Sequence, residues 1–140
     1  MSHHTHLYQN KLDPDTGGWS AGQAMNLYIH AGASLSKLLL DSTFYGRARQ
    51  GVAANNDGLY NAFKKGTFDE GTSWQDIKAL KAKGATRFWG AVAKAPWLHD
   101  CHLMMTYEDQ ESLKYKHGML KASILAASWF GSMAMIWIAS

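Results

Sequence analysis

The feature that most limits what this chain can become is its last stretch. Ala122 to Ala139 is a run of 18 residues without one charged side chain. About 20 apolar residues in a helix cross a hydrocarbon core. The run is apolar on every side, whereas a helix in a small bundle keeps a polar stripe. Lys121 stands at its near border, where the aliphatic stem can reach toward headgroups. Trp137 stands near its far end, where an indole suits a membrane interface. The run therefore predicts a C-terminal transmembrane helix. The alternative is a buried last helix of a soluble bundle.

Thr106 and Asp109 look like a helix cap, so the last helix is expected to run from Tyr107 to the end. Its first half is charged and its second half apolar. Lys114, Lys116 and Lys121 flank only its N-terminal side, which places the preceding residues on the cytoplasmic or matrix side. Ser123, Ala127 and Gly131 recur every four residues, a small-residue face on which a second span can pack closely.

Upstream, the division expected is an extended arm over residues 1–19, a helical region over 20–106, and a long helix over 107–140 with its span at about 120–139. The arm carries Asp13-Pro14-Asp15-Thr16-Gly17-Gly18, which is turn chemistry. Ser20 and Gln23 form a possible capping box, and helical periodicity continues to Leu40 and Ser42 with Lys37 the only full charge up to Leu40. A short helix is expected from Asp57 to Lys65, between Asn56 as cap and Gly66 as stop. A third begins at Ser73 with Asp76 and runs to Pro96. The fold class expected is all-α, with three to four helices and the last a transmembrane one.

Charged residues are 18% of the chain, and six Trp and seven Met occur in 140 residues; such a surface is expected to be covered by partners or lipid. The net charge of +3 does not imply nucleic acid. The lone Cys101 excludes an internal disulfide. His99, Cys101 and His102 are metal-capable side chains, and His117 or His3, His4 and His6 are the candidates to complete such a site. The reading adopted is a polar loop after Pro96 and a surface arm, with no metal and no cofactor. Glu108, Asp109 and Glu111 complement a helix N-terminus rather than form an acid–base pair. There is no nucleophile elbow, phosphate loop, dinucleotide fingerprint or zinc-protease motif. A non-enzyme is expected.

Two stretches carry a resemblance. Leu59-Tyr60-Asn61-Ala62-Phe63-Lys64-Lys65-Gly66 and Ser73-Trp74-Gln75-Asp76-Ile77-Lys78-Ala79-Leu80-Lys81 together resemble the matrix part of cytochrome c oxidase subunit IV. The resemblance implies a single-span accessory subunit of a mitochondrial respiratory complex, in the inner membrane with its N-terminal region in the matrix. Its partners would be other subunits and lipids, and no nucleic acid. Lys116-His117-Gly118-Met119 after Glu111 resembles the first span of light-harvesting proteins. The pigment-ligating Glu and its partner Arg of that family are not at the expected spacing here; the alternative kept is a pigment- or metal-binding single-span membrane protein of an energy-transducing complex, with His117, His99 or His102 as axial ligands.

Overall fold

A computed structural model of the chain describes residues 2–14, 19–34, 37–66, 72–122, 127–130 and 134–137. The fold is mixed α/β, which corrects the all-α expectation. Helix α1 is Ala21–His30, α2 is Trp74–Ala82 and α3 is Gln110–Ala122. Strands are β1 (Leu39–Ser42), β2 (Tyr45–Gln50), β3 (Lys65–Gly66), β4 (Thr72–Ser73), β5 (Thr86–Gly90), β6 (Ala95–His99), β7 (Leu103–Thr106), β8 (Ala127–Phe130) and β9 (Ala134–Trp137). Among the described residues they form two sheets, one ordered β1-β8-β9 and one ordered β3-β2-β7-β6-β5 with β4 added to β2.

The helix starts obey their local chemistry. Ser20 accepts from the Gln23 amide at 3.2 Å while the Gln23 side chain accepts from the Ser20 amide at 3.0 Å. Ser73 and Asp76 make the same reciprocal pair at the start of α2. Asp109 caps α3, its carboxylate accepting from the amides of Glu111 and Ser112 at 3.0 and 3.1 Å.

The helix ends are set by glycine rather than by the positions expected. Gly32 (φ 86) follows α1 and Gly84 (φ 101) follows α2 in the left-handed region, where a Cβ is disfavoured. The periodicity read through Leu40 therefore breaks, and Leu39–Ser42 become a strand. Phe88 lies in β5 and not on the helix read through to Pro96. Pro96 instead sits in β6 opposite Trp89, one residue outside the ladder with β7, so no amide is missed there. The helix expected from Asp57 is a short turn, Asn55–Gly58, with Asn56 and Asp57 both at φ 50.

The larger sheet has two buried faces, and strand alternation divides its apolar residues between them. Ala48, Leu98, Met105 and Tyr107 pack with Ile77 of α2 on one side. Trp97 and Met104 pack with Val52 and Leu59 on the other. Neighbours in sequence thus serve opposite faces: Trp97 and Leu98, Met104 and Met105. The Trp97 indole N–H donates to the Asp57 carbonyl at 2.9 Å, tying the Asn55–Gly58 turn to the sheet.

The long last helix stops at Ala122, and strands β8 and β9 follow. Strand β8 pairs with β1 in parallel, Leu39 opposite Ala127 and Asp41 opposite Trp129, and turns back along β9. No helix of the described residues is long and apolar enough to cross a membrane. The physical reason for the difference is that an apolar run does not by itself distinguish a helix from strands, and the two short strands Ala127–Phe130 and Ala134–Trp137 in succession have the composition of one span.

Candidate functional site

The N-terminal arm does not hang free. The Leu7 amide donates to the Ala93 carbonyl at 2.9 Å, and the Leu7 carbonyl accepts from Gly22 at 2.9 Å. The arm is thereby stitched to the β5–β6 connection on one side and to α1 on the other. His3 is buried with its ring edge-on to Trp97 at 5.3 Å. The His6 ring N–H donates to the His3 carbonyl at 3.1 Å. His4 Nδ1 and Thr106 Oγ1 share a hydrogen bond of 2.7 Å.

This docking closes one wall of a cavity of about 460 Å³. The arm contributes His4 and Thr5, the start of α1 contributes Trp19, Ser20, Ala21 and Ala24, and α3 contributes Lys116. Asp41, Thr43, Tyr45 and Arg47 line it where β1 ends and β2 begins. The cavity therefore opens at the carboxyl end of a strand in parallel pairing, the usual place for ligands in α/β sheets.

The cavity's charges are not equivalent. Lys116 Nζ lies 2.5 Å from Glu108 Oε1, with both side chains almost wholly buried. Glu108 also accepts from Ser112 Oγ at 3.1 Å. Arg47 and Asp41 have no ion pair among the described residues. Burial pushes the His4 pKa down to about 3, and the nearby cations Arg47 and Lys116 push the same way. His4 is therefore a neutral hydrogen-bonding wall. Trp19 is 68% exposed and Tyr45 37% exposed, so both rings have open surface at the site.

The sequence-derived candidates fall differently. Ser123 and Gly131 lie outside the described residues, and Ala127 opens β8, so the described part of the expected face belongs to a strand and not a helix. Trp137 ends β9. Lys114 lies on α3 exposed, and Lys121 is in its last turn. Lys116, expected at a lipid boundary, is buried against Glu108. His99 is in β6, while Cys101 (φ 75) and His102 form the turn before β7. Among the described residues no group of three His, Cys, Asp or Glu stands close enough to hold a metal. Trp19, Asp41, Tyr45 and Arg47 were not singled out as a site. The signal for them was the run Leu38-Leu39-Leu40 followed by polar residues and Gly46; that is the profile of a short buried strand opening into a loop.

Sequence and structure comparisons agree on what this architecture is. The sequence model of glycosyl hydrolases family 18 matches residues 1–135. The chain belongs to that family. Chitinase A1 of Niallia circulans is 28% identical over 130 residues, covering 86% of this chain and 19% of that protein. Endochitinase 1 of Metarhizium robertsii is 28% identical over 134 residues, covering 92% of this chain and 30% of that one. Among solved structures, a family 18 N-acetylglucosaminidase from Paenibacillus barengoltzii superposes with a TM-score of 0.83 at 30% identity, over 95% of this chain and 39% of that one. A chitinase from Bacillus thuringiensis superposes with a TM-score of 0.84 at 25% identity, over all of this chain and 27% of that one. The chain spans less than a third of the length of the curated relatives it matches.

These matches overturn several expectations. A glycosidase family replaces the cytochrome c oxidase subunit IV resemblance, and with it the non-enzyme, respiratory or photosynthetic accessory role. The subunit and lipid partners and the mitochondrial inner membrane placement fall for the same reason. The residues that carried the resemblance explain the error. Ser73–Lys81 is a capped, Lys-bearing amphipathic helix, a form common to unrelated folds. Leu59–Gly66 is not a helix at all.

Proposed function

We propose that this chain builds one wall of the saccharide cleft of a chitin-hydrolysing enzyme, and that the cavity beside β1 and β2 is where the sugar lies. The observation that carries this reading is the pairing of open aromatic rings with a guanidinium that has no ion pair among the described residues, in a polar cavity. A pyranose presents a flat array of C–H groups that packs on a ring face, and an acetamide presents a carbonyl that accepts from an N–H fork. Trp19 and Tyr45 supply the rings and Arg47 the fork. His4, held by Thr106, and Thr43 add neutral hydrogen-bonding groups. The family match and the chitinase names of the relatives support chitin as the polysaccharide proposed.

Glycoside cleavage needs a carboxylic acid to protonate the leaving oxygen, and in family 18 the substrate assists its own cleavage. The role assigned to the residues above is binding and orientation of the sugar; hydrolysis of a β-linked N-acetylglucosamine polymer is the reaction proposed for the whole protein.

The test is calorimetric titration of the purified chain with N-acetylglucosamine hexamer, with the matching glucose hexamer as control. Trp19→Ala and Arg47→Met are each expected to weaken binding about tenfold, the loss of one stacked ring or one charged hydrogen bond. Equal affinity for both hexamers, or unchanged affinity in both variants, would sink the assignment of this cavity.

A further inference from the structure

We propose that Asp41 tunes this cavity toward partially deacetylated chitin, a polymer in which some sugar units carry a free amine. The inference rests on the reading of the cavity as a sugar site. It comes from the two exposed charges that line the cavity without an ion pair among the described residues. Of the charged groups lining it, Lys116 is neutralised by Glu108. Arg47 and Asp41 remain, and they are not paired with each other or with any described residue. The site thus offers one cationic donor fork and, separately, one anionic acceptor.

A fully acetylated chain has a use for the first and little for the second. Its acetamide carbonyl accepts from a guanidinium, but its neutral N–H gains little from a carboxylate that must give up water. A free 2-amine is an ammonium at neutral pH, with three donors and no acceptor. It is repelled by Arg47 and attracted by Asp41. A mixed chain satisfies both groups at once, with an acetylated unit at Arg47 and a deacetylated unit at Asp41. Strand geometry supports the placement. Leu40 and Ser42 of β1 point inward and are buried, whereas Asp41 alternates to the open side, where it lines the cavity with Trp19 and Tyr45.

The competing account is that Asp41 only discourages pairing at the free edge of β1. The two differ in what a sugar titration reads. N-acetylglucosamine hexamer and a half-deacetylated hexamer are titrated into the wild-type chain and into Asp41→Asn, at low and high salt. The expected result is that the wild type prefers the half-deacetylated hexamer about fivefold at low salt, as one partly exposed ion pair allows. High salt should erase the preference by screening, and Asp41→Asn should remove it at any salt. Binding of both hexamers by the wild type with no preference and no difference in salt dependence would overturn the inference and leave the chitin reading standing. Binding of neither hexamer would overturn both. The wild-type salt dependence alone decides the matter if the variant does not fold.

Discussion

Lys116 and Glu108 form a buried ion pair, Nζ to Oε1 at 2.5 Å, with 5% and 2% of their side-chain surfaces exposed. The pair joins α3 to the segment leaving β7, and its Lys116 lines the cavity. Its energetic weight lies less in the attraction than in the cost of leaving either charge alone in a dry site. Lys116→Met should therefore destabilise the chain by about 3 kcal/mol, read as a lower urea midpoint. The double variant Lys116→Met with Glu108→Gln should recover part of that loss. Equal stability of the wild type and the single variant would mean that the pair is solvated.

Acid should loosen the docking of the N-terminal arm. Burial, with the neighbouring His6 second, pushes the His3 pKa down to about 4, and burial pushes His4 to about 3. An unfolded histidine titrates near 6.5, so the folded state holds these two rings neutral while the unfolded state takes up protons. The stability they contribute is complete above that value and is lost as pH falls through the interval down to the folded values. The melting temperature should fall between pH 6.5 and pH 4, and His3→Leu should flatten the fall. A flat melting profile in the wild type would contradict it.

Two glycines should differ sharply when replaced by alanine. Gly84 (φ 101) ends α2 with nothing within 4 Å of a built Cβ, so only the left-handed backbone resists, at about 1 kcal/mol. Gly58 (φ 85) would place its Cβ 2.7 Å from His99 Cδ2, beneath a buried ring. Gly58→Ala should cost about 3 kcal/mol, as strain and overpacking add. Thermal melts of both variants measure the difference.

Arg87 bridges β5 to the cap of α3. Its guanidinium meets Asp109 at 2.9 Å and Glu111 at 2.7 Å, and lies 5.3 Å over the Trp89 ring. The site is partly exposed, so Arg87→Ala should lose only about 1 kcal/mol. The loss should shrink as salt rises, whereas the Lys116→Met loss should not. Denaturation at two salt concentrations separates the two behaviours.

What the sequence determined by itself was the start of two helices, each closed within one turn of chain. The capping pairs Ser20 with Gln23 and Ser73 with Asp76 are hydrogen bonds between residues three apart, and they stand where their spacing put them; the cap expected at Thr106 and Asp109 does not, because Thr106 ends β7 and Asp109 itself caps a helix that starts at Gln110. The strands and the site were decided elsewhere. Leu39–Ser42 is a strand because Ala127–Phe130 lies beside it, some 88 positions along the chain (Leu39 to Ala127). Trp97 and Leu98 take opposite faces because β6 lies between β5 and β7. An apolar run carries no label for helix or strand; the partner that satisfies its backbone does. Only the tertiary structure brings His4, Trp19, Asp41, Tyr45, Arg47 and Lys116 around one cavity, because no local spacing relates an arm, a helix start, two strands and a last helix.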